Sequence, residues 1–285
     1  MRYEDFKSIP IVLPPFAKQR SIADFLDTMN DRINRFIDAR RRMIALLEEQ
    51  RQAIINQAVT RGMNPDLPMK PSGIDWLGDI PTHWKVRRLR GLAAIDRGRF
   101  NFRPRNDASL YEGSIPFVQT GDIARADEVI DQFTQTLNEK GLGISRLFSK
   151  GTLLMAIAAN IGDVALLGFD ACLPDSRVGL TPKPNVVQKY LYYLLIAARN
   201  KLIQSAPINT QGNLSISRLS SLGAPLPSIQ EQFRVVDYLD AQTKKIALTK
   251  ATHEQEVRLI HEYRTRLISD VVTGKLDVRA STTPQ

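Results

Sequence analysis

One internal repeat constrains this 285-residue chain more than any other feature. At a constant offset of 213, Leu13-Pro14 falls on Leu226-Pro227, Gln19 on Gln232, Asp24 on Asp237, Leu26-Asp27 on Leu239-Asp240 and Ile33 on Ile246. The register continues through Leu46/Leu259, Glu49/Glu262, Arg51/Arg264, Ile55/Ile268 and Val59-Thr60/Val272-Thr273, giving thirteen identities in 48 ungapped positions. Mismatches such as Ile22/Val235, Phe25/Tyr238 and Ile54/Leu267 keep the side-chain character. The chain must therefore fold as two copies of one element flanking something else.

Each copy reads as a long helix. In the first, apolar residues fall at Ile22, Leu26, Met29, Ile33, Phe36, Met43, Leu47 and Ile54, with polar Arg40 and Gln50 filling the gaps. Steps of four and three alternate, which is the 3.5-residue period of a coiled-coil seam. No Pro or Gly interrupts residues 18–60, and Gly62 with Pro65 then ends the element. The second copy puts Val235, Leu239, Ile246, Ile260, Tyr263 and Leu267 on the same seam, with a polar middle of Thr249, His253 and Glu256. A helix with one apolar stripe must bury it. Antiparallel pairing of the two copies does so and brings Arg40 near His253, Glu254 and Glu256. Separate packing of each helix on a globular domain is the other solution.

Between the copies the sequence changes character. Residues 62–75 are rich in Pro and Gly and read as a linker. From Trp76 to Ser220, short apolar runs bounded by Gly and Pro, such as Ile115–Val118, Thr152–Ile157 and Val164–Leu167, read as strands. A helix is predicted at about 186–204 and a shorter one near Ser215. The fold class is α+β: one globular domain, 76–220, and two long helices, in segments 1–61 and 221–285, forming an antiparallel coiled coil.

Charge supplies the first functional hint. The formal net charge is +9 and the pI about 9.7. Residues 76–220 hold 18 basic and 12 acidic side chains, an excess of +6, and eight of the basic ones lie between Lys85 and Arg105. A polyanionic partner fits, because each phosphate neutralised by Lys or Arg releases condensed counterions. A solvated surface loop would carry the same pattern. Arg87, Arg88, Arg97, Arg99, Arg103 and Arg105 are the candidate phosphate contacts.

Several function classes are disfavoured. No run of eighteen apolar residues suggests a membrane span, and the polar N-terminal stretch is unlike a signal peptide. The single Cys172 can form no internal disulfide and lies in an apolar run, so a buried thiol in a reducing, cytoplasmic setting is expected. His83, His253 and His261 have no zinc-like spacing, and there is no Gly-x-x-x-x-Gly-Lys or Gly-x-Gly-x-x-Gly loop. Asp175-Ser176-Arg177 lacks the acid–x–Lys pair of a nuclease. Neither catalysis nor a metal or cofactor is expected.

The words around these features are specific. Leu13-Pro14-Pro15-Phe16-Ala17-Lys18-Gln19 and Leu226-Pro227-Ser228-Ile229-Gln230-Glu231-Gln232 resemble the Leu-Pro-Pro-x-x-Glu-Gln approach to each conserved helix of type I restriction–modification specificity subunits, with Lys18 departing from the pattern. Ser72–Trp84 resembles the opening of a target recognition domain, Ile115–Ile123 its Pro-aromatic-x-x-x-Gly-Asp segment, and Ile208–Leu214 the strand and turn before the next helix. The resemblance implies a non-catalytic subunit that binds double-stranded DNA. Its helices would act as a ruler and seat methyltransferase subunits, to which endonuclease subunits attach. Such subunits carry two recognition domains, each reading half of a split site. This chain, beginning almost at a conserved helix, is expected to hold one, so a full site needs a homodimer or another recognition domain; a shortened product of a rearranged gene is a further reading. A coiled-coil adaptor with a basic protein- or RNA-binding domain is the competing function.

For base reading the candidates are Gln119, Thr120, Asp122, Asn160, Asn209, Gln211 and Asn213, since amides pair bidentately with adenine and carboxylates accept from cytosine N4. Beside Gly121 and Gly212, turn chemistry competes for Asp122 and Asn213.

Overall fold

The computed structural model describes residues 13–100, 107–206 and 213–278. The chain divides into two compact units: Gln52–Gln242, and Met1–Arg51 together with Thr243–Gln285.

In the first unit, a five-stranded sheet runs in the order β4 (Ala93–Arg97), β12 (Arg177–Pro182), β9 (Leu153–Ala156), β10 (Val164–Leu167), β6 (Val129–Ile130). All neighbours are antiparallel except β10 and β6. Alternation along β9 explains how both faces are used. Leu153 and Met155 join one apolar cluster and Leu154 another. β10 divides likewise, with Val164 and Leu166 against the first cluster and Ala165 and Leu167 in the second. A strand covered on both faces reads as a continuous apolar run, which is how both appear in the sequence.

The larger cluster lies under α4 (Gln188–Ser205), which buries Tyr190, Leu191, Tyr193, Leu194, Leu195, Ala198 and Leu202. It also holds Ile55, Ala58 and Val59 from the end of α1 (Phe16–Arg61), and Val235, Val236 and Leu239 from the start of α6 (Ile229–Val272). The short predicted helix is α5 (Ile216–Ser221), capped by the Ser215 hydroxyl, which accepts from the Arg218 N–H at 3.3 Å. The expected linker is partly ordered as a strand: β1 (Met69–Pro71) pairs antiparallel with β2 (Asp79–Pro81), so its prolines bound a hairpin. β3 (Lys85–Arg88) pairs with β13 (Gly223–Leu226), and β8 (Leu147–Phe148) with β11 (Ala171–Cys172). A single-turn helix, α3 (Glu139–Gly143), starts at Asn138, whose side chain accepts from the Lys140 and Gly141 N–H groups.

In the second unit the two helices run antiparallel. Arg40 Nε sits 2.8 Å from Glu256 Oε2, Lys250 meets Glu48, and Arg264 Nη2 donates to Asn34 Oδ1 at 2.5 Å; as one residue number rises, its partner's falls. His253 Nδ1 lies 3.0 Å from the same Glu256 oxygen, so the expected polar centre is present. Leu267, Val271 and Val278 pack with Ile22, Phe25, Leu26 and Met29.

The seam departs from the expected register in its middle. Phe36 and Met43 are 36% and 43% exposed, whereas Ile37 is 4% exposed and Ile44 is half-buried. The covered positions run Ile22, Leu26, Met29 and Ile33, then Ile37, Arg40, Ile44 and Leu47. Two consecutive steps of four, from Met29 to Ile33 and on to Ile37, constitute a stutter, which relaxes the mismatch between 3.5 and 3.6 residues per turn. Phe36 instead lies outside the seam, its ring 4.8 Å from the Arg40 guanidinium. In the second helix Thr249 and Tyr263 are exposed, and Lys250 and Arg264 take the half-buried positions.

Candidate nucleic-acid interface

A recess of about 390 Å³ opens in the globular unit, lined by Phe100, Tyr111, Phe117, Gln119, Thr120, Gln135, Pro174 and Ser176. Its apolar wall is a third cluster, in which Phe100, Phe117, Leu110, Leu137 and Cys172 are buried and Tyr111 packs against them. Phe100 and Phe117 rings lie 5.0 Å apart, with Tyr111 6.1 Å and 6.4 Å from them. Burial pushes the Cys172 thiol pKa up, against the effect of its Ser145 contact, so this sulfur packs in the buried cluster and is a poor nucleophile.

Gly98 lets a basic strand end lie against Pro174, one of the lining residues. A Cβ there would overlap the Pro174 carbonyl oxygen and fall 2.7 Å from that of Leu173, so only glycine lets the end of β4 lie against residues 173–176. Arg97 then donates from Nε to the Asp175 carbonyl at 2.5 Å. Arg99 Nη2 donates to the Ser145 carbonyl and the Ser145 hydroxyl to the Arg99 carbonyl, both at 2.9 Å. Both arginines are exposed yet anchored.

The polar edge is built from β5 (Tyr111–Pro116), β7 (Thr136–Leu137) and the start of α2 (Thr120–Arg125). Pro116 pairs with Thr136, which sets Gln135 beside Phe117, whose N–H donates to the Gln135 carbonyl at 2.9 Å. Gln119 Nε2 in turn donates to Gln135 Oε1 at 2.9 Å. Asp122 corrects a sequence expectation. Its side chain is fully buried, and it accepts from the Gln119 N–H (2.7 Å), Arg125 Nη2 (2.5 Å) and the Thr134 hydroxyl (3.2 Å). It is the brace that ties α2 to the Thr134–Gln135 segment, and turn chemistry won there.

The other sequence candidates lie apart from this recess or outside the described residues. Arg87 and Arg88 are exposed on β3, opposite Ala224 and Gly223. Asn160 is exposed in the turn before β10, and its carbonyl accepts from the Asp163 N–H at 3.2 Å. Asn213 is exposed just before Leu214. Arg103, Arg105, Asn209 and Gln211 lie outside the described residues. Gln135 and Tyr111 were missed because no motif marks them; only the β5–β7 pairing brings them to Gln119. Arg177 was also missed. It is 1% exposed, its Nη1 donates to the Ser176 carbonyl at 2.7 Å, and burial lowers its pKa against the pull of Asp163 and Asp122.

Among the described residues, no group of His, Cys, Asp and Glu is arranged to hold a metal ion, and no described helix is long and apolar enough to cross a membrane.

An α+β unit with an aromatic, amide-lined recess, bounded in sequence by two copies of one helix, defines the class of fold. Residues 81–259 match the family described as Type I restriction modification DNA specificity domain, and the chain belongs to that family. It is 23% identical over 288 residues to the type I restriction enzyme MjaVIII specificity subunit of Methanocaldococcus jannaschii, covering 96% of this chain and 64% of the relative. A chain from a solved structure on complex assembly and conformational transition of the type I R-M system superposes with TM-score 0.69 at 19% identity, covering 93% of this chain and 61% of that one. The HsdS subunit from Thermoanaerobacter tengcongensis superposes with TM-score 0.54 at 18% identity, covering 93% and 60%. These likenesses show the α+β fold with its long helices. This chain spans 60–64% of the length of these three proteins.

Proposed function

We propose that the globular unit reads double-stranded DNA as a non-catalytic specificity module of a type I restriction–modification complex. The observation that carries this reading is the recess lined by Gln119, Thr120 and Gln135 inside the family-matched region, with Arg97 bonded to the Asp175 carbonyl between the lining residues Pro174 and Ser176 and Arg99 next in sequence to the lining Phe100. Arginines grip phosphate and position the module, while amide and hydroxyl groups address base edges. Arg87 and Arg88 extend the phosphate contacts along β3. One module reads half of a bipartite target in the cytoplasm. The other half needs a second recognition module, from a second copy of this chain or another subunit. The paired helices set the spacing and seat the methyltransferase subunits, through which the endonuclease subunits join.

A mobility-shift titration of the full chain with duplex DNA, with and without a type I modification subunit, tests this. Binding is expected to weaken steeply with salt, with log K falling linearly in log salt, and Arg97→Gln or Arg99→Gln should each lower that slope by about one. Indifference to duplex DNA under every condition, with the modification subunit present, would favour a protein- or RNA-binding adaptor.

A further inference from the structure

The geometry points to an A·T-reading device made of Gln119 and Gln135: the paired amides address adenine, and the aromatic recess beside them takes the 5-methyl edge of its thymine. This rests on the DNA-reading role proposed above. Gln135 is held at both ends, its carbonyl by the Phe117 N–H and its side chain by Gln119 Nε2, each at 2.9 Å. Asp122 fixes the Gln119 backbone by accepting from its N–H at 2.7 Å. Both side chains are half-buried, so the pair is ordered before any ligand arrives.

With that bond made, Gln135 Nε2 keeps its two N–H donors, and Gln119 Oε1, which also faces the Asp122 N–H in the capping box of α2, keeps its second lone pair. A donor next to an acceptor complements adenine in the major groove, which offers N7 as acceptor and N6–H as donor. Guanine offers two acceptors and cytosine one donor, so either leaves half of the pair unmatched. The adjacent wall of Phe100, Phe117 and Tyr111 is apolar, and thymine alone among the bases presents a methyl group there. Arg97 and Arg99, exposed and bonded to the Asp175 and Ser145 carbonyls, can hold phosphate.

The test selects bound sequences from duplexes with a randomised core, using the full chain with a type I modification subunit. Wild type should return a consensus with at least one A·T position. At that position 7-deazaadenine should weaken binding about tenfold and uracil in place of thymine about threefold. Gln135→Glu should move the same position toward C·G, because a carboxylate accepts from cytosine N4, and leave the other positions unchanged. Should that variant fail to fold, Gln135→Ala and the uracil duplex, which leaves the protein untouched, decide instead; Gln135→Ala should lose discrimination at that position only. An unchanged consensus in the Gln135 variants, or uniform weakening on all sequences, overturns the device alone. A wild-type selection with no consensus overturns the DNA-reading proposal and the device with it.

Discussion

The two copies of the repeat carry the same words in different surroundings. Gln232 is fully buried: its Nε2 donates to the carbonyls of Asn185 and Pro227, both at 3.1 Å, and its Oε1 accepts from the Val187 N–H at 2.8 Å, where α4 begins. Its repeat mate Gln19 makes the equivalent bond to the Pro14 carbonyl at 2.7 Å but is only half-buried. Val235, Val236 and Leu239 are buried, whereas Ile22 and Leu26 are half-buried and Ala23 is exposed. Leu13 and Phe16 are 76% and 78% exposed. At both ends the head of one copy shares a cluster with the tail of the other: Val235 and Leu239 with Ile55 and Val59, and Ile22 and Leu26 with Leu267 and Val271. The added burial at the second copy comes from α4 and the sheet. Duplication therefore specifies the helix pairing twice, and the globular unit covers one copy's approach segment.

The sharpest way to break this comparison is to remove each glutamine. Gln232→Ala leaves the buried Pro227 carbonyl and the less buried Val187 N–H and Asn185 carbonyl without their partner, and it should cost about 3 kcal/mol, since an unsatisfied buried group costs roughly 1–3 kcal/mol. Gln19→Ala removes one half-exposed bond and should cost about 0.5–1 kcal/mol. Chemical denaturation of both variants measures the difference; equal losses would contradict the asymmetry of burial.

The seam offers the next largest contrast. Ile37→Ala deletes a buried side chain and should cost about 2–3 kcal/mol. Phe36→Ala, one residue away, removes a surface ring and its guanidinium contact and should cost about 1 kcal/mol or less. Thermal unfolding followed by circular dichroism checks the order. A larger loss at Phe36 would restore the uniform heptad register.

Glu231 and Lys18 are repeat mates of opposite charge. Partial burial pushes the Glu231 pKa up, but hydrogen bonds from His83, Ser228 and Trp84 outweigh it and hold it down at about 2. The carboxylate lies 2.5 Å from His83 Nε2 and 3.2 Å from Trp84 Nε1, and it accepts from the Ser228 hydroxyl at 2.8 Å. Glu231→Lys should cost about 1–2 kcal/mol at neutral pH, the range for losing an N-terminal cap. Because the folded pKa lies below the ordinary 4.5, the stabilisation is present above that value and lost as pH falls toward 2. The gap between wild type and variant should therefore close across that window in acid titrations. A gap that stays constant would locate the effect in packing.

Much of this architecture is legible in residues. The repeat, both long helices, the strands at 153–156 and 164–167, and the helix at 188–205 follow from periodicity and from apolar runs bounded by Gly and Pro. The stutter is not legible, because Phe36-Ile37 and Met43-Ile44 offer two apolar choices at each step and only packing selects one. The site is half legible. Arg97, Arg99, Gln119 and Thr120 stand out by type and spacing, but Gln135 reaches Gln119 through a pairing between β5 and β7 that no local pattern encodes. Asp122 carries base-reading chemistry in the sequence, yet its three donors make it a brace.

The smallest effect concerns the centre of the helix pair. Arg40 and Glu256 meet where their repeat mates, His253 and Met43, also lie, close to the point where the two copies exchange places. With side chains 31% and 34% exposed, such a pair contributes about 0.2–1 kcal/mol. Charge reversal does more than delete it, because Arg40→Glu sets a carboxylate against Glu256. A loss of about 1 kcal/mol is expected, growing at low salt where screening is weakest. Arg40→Glu combined with Glu256→Arg should recover most of it, because the helices present these two positions to each other. A double-mutant cycle read by thermal unfolding separates the outcomes: coupling that vanishes would mean the two charges are solvated separately, and the antiparallel register would then rest on the apolar ends alone.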